Sequence, residues 1–147
     1  MLKRLVMSLL VVGVSSAVAQ GATVYQQCQG CHQATGAGIN AVFPPLAGHV
    51  PEILAAKGGR QWIIRLLLNG MTGQISVKGV NYNGAMPGYK QLSDQQIADV
   101  LNHISTQWGN KFPAGQGPFT AAEVKAQRAT ALTGAQVNQA RAALGLK

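Results

Sequence analysis

The chain has 147 residues, the length of one domain, and a formal charge of +8 from twelve Lys and Arg against four Asp and Glu. That balance suits an acidic protein partner or an anionic membrane surface, although most such cations simply form a solvated face. The cations are spread rather than clustered, and the N-terminus reads as an export signal, so nucleic acid is excluded as the expected partner.

Lys3 and Arg4 form a positive start, and Leu5 to Val14 is an apolar run broken only by Ser8 and Gly13. Ala17-Val18-Ala19 is a small-x-small cleavage site. Residues 1–19 are therefore expected to be a signal peptide, cleaved after Ala19. The mature chain would start at Gln20 and lose the charges of Lys3 and Arg4, leaving +6. An uncleaved membrane anchor is the alternative, but the run is about half of the roughly 20 residues that span a bilayer. No other stretch of the sequence is long and apolar enough to span. The expected location is the periplasm, with the protein peripheral to the membrane at most.

Residues 21 to 32 read as a short helix over Gly21–Cys31, with Val24 one turn before Cys28. Cys28-Gln29-Gly30-Cys31-His32 is the c-type haem attachment pattern. On one helical turn Cys28 and Cys31 face the same side and can add to the two vinyl groups of one porphyrin. His32 then brings its imidazole under the iron, as a proximal ligand. A structural zinc site would need four ligands, and the sequence has no second Cys pair. A redox-active disulfide would need a thioredoxin-like βαβ context, which the pattern lacks. Haem c, with its iron, is the expected cofactor.

Ala34 to Phe43 is small, Gly-rich and loop-like, and Phe43-Pro44-Pro45-Leu46-Ala47-Gly48 follows. Paired prolines stiffen the backbone and remove two N–H donors, leaving bare carbonyls. A metal-bound His needs an acceptor for its other ring nitrogen, and the Pro45 carbonyl is the expected one. Pro51 to Ala56 predicts one or two helical turns closed by Gly58-Gly59, and Arg60 to Asn69 a helix closed by Gly70. Trp62, Ile63, Leu66 and Leu67 have core spacing on that helix. Gln74 to Tyr82 alternates around Lys78-Gly79 and predicts a small β-hairpin. Ser93 to Trp108 is the clearest helix, opened by the capping box Ser93-x-x-Gln96. Its apolar stripe is Ile97, Val100, Leu101, Ile104 and Trp108, expected to pack on the first helix and the haem edge. A Gly/Pro linker runs from Asn110 to Pro118, and two more capping boxes, Thr120-x-x-Glu123 and Thr133-x-x-Gln136, mark short helices. The fold is expected to be mainly α: a haem domain over 20–109, then a linker and helical extension over 110–147. The extension is too poor in apolar residues for a second core and is expected to lie against the first.

The sixth iron position has four candidates: Met71, Met86, His49 and His103. Met86 is best placed, in the Gly/Pro-bounded loop Tyr82–Tyr89 far from His32 in sequence, with Pro87 stiffening the loop. His/Met ligation raises the reduction potential. Met71 follows the Gly70 cap and reads as core. His49 reads as a surface residue or one supporting a ligand, and His103 as a structural or solvated residue. Trp62 or Arg60 could bond a haem propionate, although core packing and solvation are their simpler roles.

Taken together these residues resemble a class I cytochrome c. The longer strings Phe43-Pro44-Pro45-Leu46-Ala47-Gly48-His49-Val50, Gly73-Gln74-Ile75, Val77-Lys78-Gly79 and Tyr82-Asn83-Gly84 are similar to the soluble monohaem cytochromes c of Thermus-type bacteria. So are Leu101-Asn102-His103-Ile104, Pro118-Phe119-Thr120-Ala121 and the closing Leu144-Gly145-Leu146-Lys147. The resemblance covers essentially the whole mature chain. It implies a helical haem fold with a small hairpin near the axial methionine and a C-terminal extension that wraps the domain as a clamp. It also implies thioethers at Cys28 and Cys31, iron ligation by His32 and Met86, a Pro45 bond to His32, and electron donation to a terminal haem–copper oxidase. Two departures stand out. Met86 is followed by Pro87-Gly88, where the Thermus-type sequence has small polar residues. The chain is also rich in Gln (fifteen) and only 11% charged. Hyperthermophile proteins trend toward Lys and Glu and away from Gln, so a less heat-resistant member is expected. A melting transition as high as in the Thermus-type proteins would contradict that.

The leading expectation is a monomeric one-electron carrier between an upstream respiratory donor and the oxidase, with no substrate site. Docking should use a small patch near an exposed haem edge, steered by some of Lys57, Lys78, Lys90 and Lys111 if the partner is acidic. The Thermus-type resemblance implies instead a largely apolar contact. A haem enzyme, a peroxidase or nitric-oxide-handling protein with a labile sixth ligand, is the alternative, and a fixed subunit of a dehydrogenase complex is a third.

Overall fold

The computed structural model describes residues 14–146. Of the expected leader, residues 1–13 lie outside the described residues, and Ala17-Val18-Ala19 falls in the first helix, α1 (Val14–Tyr25). The elements that follow are α2 (Gln29–His32), α3 (Val50–Ala55), α4 (Gly59–Asn69), β1 (Met71–Val77), β2 (Val80–Met86), α5 (Asp94–Thr106), α6 (Ala121–Arg128) and α7 (Gly134–Ala142). The fold is mainly α with one two-stranded antiparallel hairpin, as expected.

Gly21 decides how the two long helices meet. A Cβ there would run into the Asp99 carbonyl and lie 2.8 Å from the His103 Cβ, so only glycine lets α1 cross α5 this closely. Tyr25, one turn later and buried, sets its ring 5.3 Å from His103 and 5.1 Å from Trp108. The expected helix over Gly21–Cys31 is broken. It ends at Tyr25, and Gln26, Gln27 and Cys28 make tight turns to the carbonyls three residues back before α2 begins. No Gly or Pro marks that break, so periodicity could not see it. At the other end, α5 stops at Thr106, and Trp108, at φ 54, leaves the predicted stripe and folds over Gly36. Ile97, Val100, Leu101 and Ile104 do form the buried face.

Three capping boxes hold as read. Ser93, Thr120 and Thr133 each accept from the backbone three residues on, while Gln96, Glu123 and Gln136 reach back to the cap N–H groups. The hairpin is longer than Gln74–Tyr82. It pairs Met71 with Met86 at its open end and Val77 with Val80 at its turn. Lys78 and Gly79, at φ 51 and 79, make the two-residue turn whose twist suits a hairpin. The added rungs Thr72–Gly73 and Gly84–Ala85 carry no apolar alternation, which hid them from the pattern.

Beyond Asn110 the chain returns across the outside of the core. α6 packs on α4 and α5, and α7 packs on α4 and β1. Phe119, Val124 and Val137 are its buried apolar anchors.

Candidate functional site

α1, α3, α4, α5 and the hairpin enclose a cavity of about 280 Å³ whose walls are almost wholly apolar. Val24 enters from α1, Trp62, Ile63 and Leu66 from α4, and Val100 and Ile104 from α5. Val24 thus lies on the expected side. Cys28, Cys31 and His32 line the same cavity, as do Met71 and Met86. His103 does not; it packs with Tyr25 and Trp108 instead.

Cys28 closes the turn that holds the motif: its carbonyl accepts from Cys31 N at 3.2 Å and from His32 N at 2.9 Å. The two sulfurs therefore sit on one turn, with Cys28 half-buried and Cys31 exposed. Burial, and then the neighbouring Cys31, push the Cys28 thiol up to about 11. Dithiols built for redox exchange have a thiol tuned the other way, which Cys28 does not show. Among the described residues no three His, Cys, Asp or Glu side chains converge as a metal-binding cluster, which leaves the zinc alternative without support.

His32 is buried, and its Nδ1 lies 2.9 Å from the carbonyl oxygen of Pro44. The expected partner was Pro45, one residue later. Successive carbonyls of an extended chain point to opposite sides, so only one of the two prolines can face His32. The loop settles which. Ile39 N donates to Phe43 O, and Leu46 N and Ala47 N both donate to Gly36 O, turning Pro44 inward. Gly38 makes room, since a Cβ there would lie 2.7 Å from the Pro44 carbonyl. Pro45 remains a wall residue. A carbonyl only accepts, so the His32 Nδ1 carries the proton. Burial holds the imidazole's pKa below its ordinary value, with the Pro44 bond opposing. A neutral ring with Nδ1–H committed has a free lone pair on Nε2, the form that ligates a metal.

Met86 is the last residue of β2 rather than part of a free loop, and Met71 stands opposite it as the first residue of β1. Both are half-buried and both reach the cavity wall.

One edge of the cavity is polar. His49 is only 4% exposed and Arg141, on α7, only 5%. His49 is therefore not a surface residue. Its Nδ1–H donates to the Glu52 carboxylate at 2.9 Å, and burial lowers its pKa, with Glu52 and the nearby Arg141 pulling in opposite directions. Arg141 donates to Ser76 O at 2.8 Å and has no carboxylate partner among the described residues. A buried guanidinium facing an apolar cavity without an acid is costly. Haem brings two carboxylates to one edge of a flat apolar ring. Apolar walls, paired thiols, a prepared imidazole and an uncompensated cation fit that group. Sequence reasoning missed Arg141, because nothing local ties it to a motif more than a hundred residues away. The residues it offered for the propionates are engaged elsewhere. Trp62 Nε1 donates to Val137 O at 2.9 Å, and Arg60 pairs with Glu123 at 2.6 Å over the Phe119 ring.

Residues 18–108 match the family described as Cytochrome c. The chain is 55% identical to a "Cytochrome c-552" of Thermus thermophilus, over 99% of this chain and 100% of that one. It is 58% identical to a second "Cytochrome c-552" of Thermus thermophilus, over 88% of this chain and 99% of that one. It is also 38% identical to the cytochrome c subunit of alcohol dehydrogenase (quinone) of Gluconacetobacter polyoxogenes, over 84% of this chain but 25% of the subunit.

Proposed function

The chain belongs to the cytochrome c family, and from that premise we propose which residues make it an electron carrier and where in respiration it works. As a member of the family it binds haem c covalently and moves electrons rather than transforming a substrate. Haem c, when bound, supplies an iron that alternates between two oxidation states. The chain's part is to hold, orient and shield it. Cys28 and Cys31 take the thioethers. His32 offers Nε2 to the iron, and the Pro44 carbonyl fixes the ring's rotation and tautomer. Met86 offers its thioether as the sixth ligand. Arg141 and His49 face the propionates.

The observation that carries this reading is the His32–Pro44 bond inside an apolar cavity that also contains Met86. With a neutral imidazole and a thioether both on the iron, the site would be closed to small ligands. The oxidised protein should show the weak far-red methionine–iron charge-transfer band, and the reduced protein should not bind carbon monoxide readily. Rapid carbon monoxide binding would favour the haem-enzyme alternative.

In this reading the protein works in the periplasm, carrying electrons from a respiratory donor to a terminal haem–copper oxidase. The N-terminal export pattern and the full-length likeness to a cytochrome c-552 support it. No described helix is long and apolar enough to cross a membrane. A free carrier is preferred to a dehydrogenase subunit because the identity is 55% and 58% to the two cytochromes c-552 but 38% to the alcohol dehydrogenase subunit. Recovery from the periplasmic fraction with Gln20 at the N-terminus, and rapid stopped-flow oxidation by the organism's own oxidases, are the expected results. Oxidation only as part of a purified dehydrogenase complex would contradict it.

A further inference from the structure

The hairpin presents two thioethers to the cavity. Met71 and Met86 are register partners in an antiparallel pair. Side chains so paired leave the sheet on the same face, with Cβ atoms about 5 Å apart. Each lines the cavity and packs against the main core.

The backbone beneath them is pinned. Gly70, at φ 73, lies back to back with Gly88: a Cβ on Gly70 would strike the Met86 carbonyl and come within 2.7 Å of Gly88 N. A Cβ on Gly88 would lie 2.7 Å from Leu68 O. Tyr89 N donates to Leu67 O at 2.7 Å, closing the same knot. The strands cannot slide to bring one sulfur forward and withdraw the other. With the backbone held, an exchange between the two sulfurs would have to come from side-chain torsion, and methionine is the apolar side chain with most freedom there.

We propose that Met71 is a reserve sixth ligand, whose thioether binds the iron when the Met86 sulfur is lost from it. The proposal rests on Met86 being the resting ligand. The exchange breaks one iron–sulfur bond and makes another, and it moves no proton or electron. Its effect is to keep the iron sulfur-ligated and closed to small ligands. A carrier with only one such sulfur would become an open haem site.

The test uses holoprotein, whose haem stays covalently attached in every variant. Met86→Ala, and Met86→Leu as the variant that preserves packing, should keep a far-red charge-transfer band at a shifted position. A new set of strongly shifted methionine methyl resonances should replace the native set. Their reduced forms should stay slow to bind carbon monoxide. Adding Met71→Leu to Met86→Ala should abolish the band and open the iron. Loss of the band in both Met86 single variants, with carbon monoxide binding as fast as in the double variant, overturns the reserve role while leaving Met86 as the native ligand. A spectrum unchanged from the native protein in the Met86 variants shows that Met86 never bound the iron, and overturns both readings.

Discussion

Around the cavity, α4 and α5 supply buried Leu and Ile side chains, with Ile63 and Leu67 lining it and Ile97 and Leu101 in the core beyond that lining. Residues 110–146 meet the same core through three buried anchors, Phe119, Val124 and Val137, through half-buried apolar side chains such as Phe112 and Leu132, and through many aimed hydrogen bonds. Arg60 grips Glu123 with two nitrogens and the carbonyls of Gly117 and Pro118 with two more contacts. Arg128 bonds Asp94 and the carbonyls of Lys90 and Leu92. The Asn138 amide straddles Gly73, donating to Thr72 O at 2.9 Å and Gln74 O at 3.1 Å. Asn102 and Phe119 exchange two bonds, at 3.0 and 2.6 Å. Apolar burial supplies large energies with little direction. Hydrogen bonds supply direction with small net energies. The wall is thus held by quantity and the outer segment by fit, and the two should fail under different conditions.

The largest effect belongs to the wall. Leu101→Ala removes a side chain with no exposure from α5 and should cost about 2–5 kcal/mol of unfolding free energy, seen as one cooperative loss in chemical denaturation. A change under about 1 kcal/mol would mean the wall is not the main source of stability. Arg141→Gln spans both regions. It removes the cation from the cavity edge and weakens the bond to Ser76, so it should lower the reduction potential, because a nearby positive charge disfavours the oxidised iron. An unchanged potential in redox titration would place Arg141 away from the propionates.

Arg60→Ala should cost about 1–2 kcal/mol, and hydrogen exchange should rise in α6 with little change in α1 and α5. A uniform rise would erase the distinction between the regions. The Arg60 bond holds the Glu123 carboxyl below the ordinary range, with burial opposing. A depressed folded pKa contributes stability that is complete above the unfolded value, near about pH 4.3, and fades as pH falls through the lower folded value. Acid should therefore loosen α6 first, and Glu123→Gln should remove that pH dependence. Glu123 is partly exposed, so the effect is small and salt should shrink it. The smallest effect concerns docking. Ile39 and Val42, 42% and 51% exposed, are the exposed large apolar side chains of the described residues, and Val42 lies at the cavity. Oxidation by the oxidase should depend only weakly on salt and should slow in Val42→Ser. A steep salt dependence would return the role to Lys57, Lys78, Lys90 and Lys111.

What was legible follows the same division. The turn of the haem pentapeptide, the three capping boxes and four of the five stripe residues of α5 are local, and each sits where its spacing put it, Trp108 excepted. The closing glycine of α4 was equally plain. The misses are cases where a distant partner decides. Pro44 and Pro45 are chemically alike, and only the loop tied to Gly36 selects between them. The break after Tyr25 is imposed without any breaker residue. The Trp62 N–H and the Arg60 guanidinium are committed to Val137 O and Glu123, partners more than sixty residues away. His49, just before α3, and Arg141, on α7, line one cavity from segments that carry no shared motif. Apolar periodicity reports a face, but a polar fit needs both halves in view.

Trp62 stands on both sides of that division, since its ring lines the cavity while its N–H holds α7. Its neighbour in the pair of tryptophans, Trp108, lies outside the cavity beside Tyr25 and bonds Ala34 O. The consequence is optical. A porphyrin seated in the cavity would quench the indole beside it, so Trp62 would be dark while the cavity wall holds the haem. In a Trp108→Phe background the return of emission would time the withdrawal of the haem from α4, and its lag behind the loss of far-red absorbance would separate that step from release of the methionine sulfur, in a single cuvette.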